Sequence, residues 1–337
     1  MTQIRGLGLV VVLFGFATGP AAIAADPAQP IRVGVIGVDT PHSTEFARSM
    51  NDPQATGPLA GCTVVAAYLG GTPDVPASVE LGAKFGKKIR EMGVEIVDSI
   101  PALLERVDAV MINTLDGRPH LEEARQVIAA GKPLFIDKPL GASLAECVEI
   151  FQLAEKAGVP CFSSSSLRYA KGIAAIGTGE DPKIGKPLGC AAYGPNHLLE
   201  PHRMPDLFYY GIHGAEILFT IMGPGCKTVS RIEAGDNDLV VGVWEDGRIG
   251  TYRSHPGFGA TVYGTKGVGP SGGWTGYDPL AVEIARFFVT RQPPVSHEET
   301  LEIYAFLEAA DQSKHQGGCP VSLEEVLTKA RQKVEAR

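Results

Sequence analysis

The sequence predicts an α/β protein in two parts: a parallel sheet with crossover helices, then an α+β domain built on a large, mostly antiparallel sheet. Three observations predict it. Between Ile31 and Ser163 short apolar runs alternate with helical patterns, as strands buried on both faces alternate with their crossover helices. After about Arg168 strand-like runs follow one another, joined by turns such as Glu245-Asp246-Gly247-Arg248, whose Asp-Gly pair marks a hairpin. Finally, 337 residues exceed one average domain.

The chain opens with a targeting pattern. Arg5 is the single charge before Asp26, Gly6 to Phe16 is apolar, and Ala22-Ile23-Ala24 has the small-x-small form of a cleavage site. Residues 1–24 therefore read as a Sec-type signal peptide, and the mature protein as exported, periplasmic or extracellular. No adjacent arginine pair supports a twin-arginine route, and no later stretch is long and apolar enough to span a membrane. A net charge of −8 with no basic cluster beyond Lys87-Lys88 gives no reason to expect nucleic acid. The six cysteines, at 62, 147, 161, 190, 226 and 319, are scattered without a C-x-x-C. That spacing argues against a zinc site and leaves one or two disulfides open in an oxidising compartment.

The first domain, residues 25–167, begins after a short tail. Strands are expected at Ile31–Ile36, Thr63–Tyr68, Ala109–Asn113, Leu134–Ile136 and Pro160–Ser163. Helices are expected after Thr40, which can cap with Pro41 at the first position, and at Ala77–Met92, Pro119–Ala130 and Leu144–Ala157. The first strand runs into Val33-Gly34-Val35-Ile36-Gly37-Val38-Asp39-Thr40-Pro41-His42. Gly37 stands where the first glycine of a G-x-G-x-x-G turn would be, which makes the domain Rossmann-like. Asp39 and His42 replace the next two glycines. A carboxylate at the second position would repel a pyrophosphate, so the turn suggests a nucleotide-binding fold and questions nucleotide binding at once. The second strand ends in Leu69-Gly70-Gly71 with no acid for ribose hydroxyls; Asp74 comes several residues late.

The second domain, residues 168–337, has strand-like runs at Leu188–Tyr193, Thr228–Ala234, Leu239–Trp244, Ile249–Ser254 and Ala260–Tyr263. A helix is expected at Leu207–Met222. Gly264–Gly276 reads as a Gly-rich loop. The tail is helical, from Asp278–Thr290 through helices opened by Ser296-x-x-Glu299 and Ser322-x-x-Glu325. Both tetrads have capping-box form and speak of structure.

Ligands of such parallel sheets sit outside the carboxyl ends of the strands. Three ends are informative: Gly37–His42; Asn113–His120, with Thr114 and His120; and Phe135–Leu140, with Asp137 and Lys138. A lysine at a strand end, pinned by Pro139 and preceded by an acid, suits polarising a hydroxyl or carbonyl. A surface lysine in a turn is the plain alternative.

The run Gly131-Lys132-Pro133-Leu134-Phe135-Ile136-Asp137-Lys138-Pro139-Leu140 resembles the G-K-x-V-x-x-E-K-P-L segment of the Gfo/Idh/MocA oxidoreductases, with Asp for Glu. Arg168-Tyr169 is similar to that family's R-F or R-Y after the sixth strand. The resemblance covers nearly everything after the signal. It implies oxidation or reduction of a sugar, inositol or similar alcohol with NAD or NADP, held by Gly37, Asp39, Thr40, His42, Thr114, His120, Asp137 and Lys138. Lys138 would contact nicotinamide and substrate. His213 matches the histidine of the family's D-x-x-x-H pair and would move the hydroxyl proton. Tyr209 stands in the aspartate's place, a proton donor or a packed side chain. Arg168, His202 in the turn-rich Pro201–Pro205, and Glu216 would face substrate. His213 and Glu216 are spaced i, i+3, but carboxylate–histidine pairs are more often hydrogen-bonded than metallated, and no metal is expected. The resemblance also implies a homo-oligomer. The departures at Asp39, His42 and Tyr209, together with export, keep open a second reading: a non-redox carbohydrate-binding, lyase- or hydrolase-like protein on the same scaffold.

Overall fold

The computed structural model describes residues 29–235 and 237–337; the signal peptide read at residues 1–24 lies outside the described residues. The first sheet has six parallel strands in the order β3-β2-β1-β4-β5-β6. They are β1 (Ile31–Ile36), β2 (Cys62–Tyr68), β3 (Glu95–Val97), β4 (Ala109–Ile112), β5 (Leu134–Ile136) and β6 (Cys161–Ser163). Helices α1 (Pro41–Met50), α2 (Pro76–Glu91), α3 (Ile100–Leu104), α4 (His120–Ala129) and α5 (Leu144–Ala157) connect them. The strand order reverses between β1 and β4, and crevices of such sheets open at that reversal. Ile36 pairs with both Tyr68 and Ile112, Ile112 with Ile136, and Ile136 with Ser163. The residues that follow, Gly37, Asn113, Asp137 and Ser164, therefore form one row along the carboxyl edge.

After α6 (Lys171–Gly177) comes a seven-stranded sheet ordered β12-β11-β7-β10-β9-β8-β13. Its strands are β7 (Pro187–Gly194), β8 (Cys226–Ala234), β9 (Asn237–Trp244), β10 (Ile249–Ser254), β11 (Gly259–Gly264), β12 (Val268–Pro270) and β13 (Val321–Ser322). All neighbours run antiparallel except β7 and β10. Helix α7 (Ile212–Met222) covers this sheet with α9 (His297–His315). Ser296 and Ser322 cap α9 and α10 (Leu323–Glu335) through the amides of Glu299 and Glu325.

Three local expectations are corrected. Thr40 occupies the N-cap of α1, but its hydroxyl is drawn across to the Asn113 carbonyl and caps nothing. The helix expected from Leu207 starts at Ile212, because residues 206–211 form turns before Gly211 admits the helix. The stretch Gly264–Gly276 contains β12, which pairs with β11. All six cysteines are unpaired, five of them buried. No helix among the described residues is long and apolar enough to cross a membrane.

The C-terminal helices return to the first domain. Helix α8 (Asp278–Thr290) buries Leu280, Ile284, Phe287 and Phe288 in one core with Phe46, Phe135 and Phe162, on one face of the parallel sheet. The Asp278 carboxylate accepts from Arg48 and Ser49 of α1. Helix α10 packs on α5. A second apolar core runs from the other face of the parallel sheet into the second domain.

Candidate active site

Each of the carboxyl-edge residues is fixed by the turn that follows its strand. At Gly37 φ is +83° and an added Cβ would lie 2.3 Å from the Thr114 hydroxyl, so only glycine lets the loops after β1 and β4 touch. The next turn residue, Asp39, is 1% exposed. Its Oδ1 accepts the Leu115 amide at 2.9 Å and its Oδ2 the Ser78 hydroxyl at 2.5 Å. One carboxyl thus ties together the loop after β1, the loop after β4 and the start of α2. Burial raises its affinity for a proton, against the hydrogen bonds from Ser78 and Leu115.

His42 lies in the first turn of α1 and its Nδ1 is hydrogen-bonded to the Asp137 carboxylate at the end of β5. The other Asp137 oxygen accepts the Lys138 amide at 2.9 Å. The imidazole of His42 meets the Tyr277 ring at 4.8 Å between centroids. Nδ1 being engaged, Nε2 is left for a ligand. Lys138 is buried, its Nζ 5.0 Å from the Tyr209 ring centroid and 5.3 Å from that of Tyr210, a cation–π arrangement. Burial lowers the Lys138 pKa, and the Asp137 carboxylate opposes that.

His213 comes from the second domain, in the first turn of α7. Its Nδ1 is hydrogen-bonded to the Ser165 hydroxyl at 2.7 Å. Burial holds its pKa well below the ordinary value, and the nearby Lys138 and His42 push the same way. The imidazole is therefore neutral around pH 7. His42, His213, Ser166, Tyr210, Trp274 and Tyr277 line one cavity of about 130 Å³. Pockets that take drug-sized ligands span about 300–1,000 Å³, so this one takes a single small molecule.

The remaining candidates fall outside that wall. Tyr209 sits in the turn before α7, under Lys138, and burial raises its phenol to about 12. Arg168 donates to Glu216 at 2.8 Å and to Glu299 at 2.7 Å, and Glu216 accepts the Ser165 amide at 3.2 Å. Arg168 and Glu216 thus brace the segment that holds His213. Thr114 donates to Glu123, and His120, fully buried, bonds the Thr114 carbonyl at 2.9 Å. His202 lies beside Asp206 and Arg231 at a separate cavity of about 430 Å³. Among the described residues no group of three His, Cys, Asp or Glu side chains could hold a metal ion.

Sequence reasoning did not assign Ser165, Trp274 or Tyr277 to the site. The last two come from the Gly-rich stretch and its exit, where aromatic side chains in a loop were the available signal. Trp274 is fastened there by its indole N–H, which donates to the Ser166 hydroxyl at 3.2 Å.

Residues 31–165 match the model of the Gfo/Idh/MocA group, described as an oxidoreductase family with an NAD-binding Rossmann fold. The first domain belongs to the Gfo/Idh/MocA oxidoreductase family. Its fold extends over both domains in solved structures. A Thermotoga maritima protein described as a probable dehydrogenase is similar with a TM-score of 0.70 at 20% identity, over 88% of this chain and 100% of that one. The myo-inositol dehydrogenase of Lactobacillus casei, solved with NAD(H) and myo-inositol, gives 0.68 at 16% identity over 87% and 97%. The scyllo-inositol dehydrogenase of Lactobacillus casei, solved with NAD(H) and scyllo-inositol, gives 0.68 at 15% over 88% and 100%. At these identities the likeness is one of fold. No curated protein matches the chain.

The family is NAD-binding by its description, and the phosphate turn of this chain departs from the usual pattern, with Asp39 and His42 at the second and third glycine positions. The Asp39 carboxyl, at the second glycine position, is taken up by the Leu115 amide and the Ser78 hydroxyl. Asp116 and Glu123 add two more acids at this strand end, both buried. Burial raises the Glu123 pKa to about 8, and Asp39 and Asp116 add to it. The Arg118 guanidinium donates to Asp116 at 2.6 Å and to Asp74 at 2.9 Å, and so ties the loops after β2 and β4 together.

Proposed function

We propose that this oxidoreductase-family protein acts on a hydroxyl or carbonyl centre of a sugar- or polyol-like molecule bound between its two domains. The observation that carries the reading is the convergence of two imidazoles on one small aromatic-walled cavity, with a buried ammonium close by. Lys138 orients the substrate oxygen. His213, neutral at the pH of use, exchanges the proton of that oxygen. Tyr210, Trp274 and Tyr277 offer ring faces to the C–H surfaces of a compact polyol, as amphipathic aromatics do at binding sites. The inositols named for two of the similar structures belong to this chemical class, which supports it by analogy of fold alone. The signal pattern supports export as the setting in which the site works.

The test is a panel of inositols, aldoses and uronates assayed with and without NAD(H) and NADP(H). Lys138→Ala and His213→Ala are expected each to lower turnover at least about 100-fold with an unchanged circular dichroism spectrum. Full turnover in both variants would remove the cleft from the chemistry.

A further inference from the structure

We propose that His42, held by Asp137, is a second acid–base group facing the substrate, and that with His213 it moves a proton on a carbon next to a carbonyl without any nicotinamide. The inference rests on the reading of the cleft as a sugar or polyol site, and goes beyond it in the reaction.

Four features of the fold lead there. His42 stands where the dinucleotide turn should carry a small residue, and it is built in: Asp137 grips Nδ1, and Phe46 and Tyr277 flank the ring at 5.6 and 4.8 Å between centroids. A carboxylate behind an imidazole fixes its tautomer and orientation and leaves the other nitrogen for chemistry. His213 is built in the same way from the opposite domain by Ser165, which Glu216 and Arg168 brace in turn. Both rings line the same 130 Å³ cavity. In the turn that leads to His42, Asp39 stands at the second glycine position of the dinucleotide pattern, its carboxyl tied to Leu115 and Ser78.

The electron count closes within that molecule. His213 takes the proton from the carbon next to the carbonyl. The C–H pair becomes the second bond of an enediolate, and the carbonyl π pair moves onto oxygen, a charge that the Lys138 side chain, against the Tyr210 ring of the cavity wall, would offset. His42 returns a proton to that carbon, the oxygen pair re-forms the carbonyl, and exchange with solvent then removes the proton from His213 and restores one to His42. Return to the opposite face gives the epimer; return to the same face gives exchange with solvent. Nothing is oxidised or reduced, so no hydride acceptor is needed.

The experiment uses the full mature chain, first denatured in part to verify by mass spectrometry that it carries no dinucleotide. It is then incubated in D2O with a keto-inositol, two hexuloses and a hexuronate, and deuterium is located by NMR. Wash-in at the carbon next to the carbonyl is expected on at least one probe without added cofactor. His42→Gln, which can still hydrogen-bond to Asp137, and His213→Ala are each expected to slow it at least about 100-fold. Absence of wash-in on every probe would overturn the proposal, as would wild-type exchange in His42→Gln. Exchange that appears only when NAD+ or NADP+ is added would overturn it too, while leaving the oxidoreductase reading of the cleft in place. If Lys138→Ala and His213→Ala retained full exchange, the reading of the cleft itself would fail.

Discussion

Glu123 lies beneath the carboxyl edge where, among the described residues, only the Thr114 hydroxyl, 3.1 Å away, solvates it. Burial raises its pKa from the usual 4.5 to about 8. For a carboxyl whose folded pKa lies above its unfolded one, the stability present below about pH 4.5 is lost progressively as pH rises to about 8. The shift corresponds to a loss on the order of 4 kcal/mol. Glu123→Gln removes the titration and keeps a hydrogen-bonding amide. Its melting temperature is expected to exceed that of the wild type at pH 8 and to approach it at pH 4.5; a constant offset across that range would refute the assignment. Asp39 offers a second residue-scale test. Asp39→Gly restores the family's glycine and frees the Leu115 amide. NADH fluorescence titration is expected to show binding at least about tenfold tighter than wild type, a gain of about 1.4 kcal/mol. Equal affinity in the two proteins would mean that the carboxyl is not what closes the turn.

Helix α7 shows how an element sets a side chain. An added Cβ at Gly214 would lie 2.0 Å from the Tyr252 ring, so the helix reaches β10 only because that position is bare. His213, next to it, takes its place on the cavity wall from this contact. Gly214→Ala is expected to cost about 1–3 kcal/mol by overpacking and to lower kcat as the imidazole shifts, read by thermal unfolding and by assay of the folded fraction. Wild-type stability and rate together would deny the contact that role. The same helix marks where the sequence was legible and where it was not. The body of α7 was readable from its apolar run, but its start was not, because turns at 206–211 carry the same aromatic and aliphatic residues as a helix. Strands β1, β5 and β10 were readable to the residue, since each is a compact apolar or alternating run between turn signals. Strands β3 and β13, of three and two residues, are too short for any period to register. Lys138 and His213 could be picked out from local motif context. The His42–Asp137 pair could not, since the two partners stand 95 residues apart and only the row of strand ends brings them together.

At the scale of the molecule, the two halves of the sequence do not correspond to two independent packing units. Helix α8 belongs by position to the second domain, yet its apolar face completes the core on one side of the parallel sheet. Phe287 meets the Phe162 ring edge-on at 4.8 Å, and Phe162 meets Phe135 at 5.0 Å. All three are fully buried, and Cys62 of β2 lies against the Ala285 carbonyl. On the other side one apolar core is continuous from the parallel sheet into the antiparallel one. Unfolding the second domain would therefore strip apolar cover from the first, so the two should melt as one cooperative unit. Calorimetry of the full chain is expected to show a single transition, with Phe287→Ala lowering the whole of it by about 3–5 kcal/mol. Two resolved transitions, with Phe287→Ala moving only one of them, would show that the domains keep separate stabilities. The cooperative outcome has a functional consequence, because His42 and Lys138 come from one domain and His213 from the other. A cleft whose walls share a core holds those groups at fixed separation, as proton transfer between positioned groups requires.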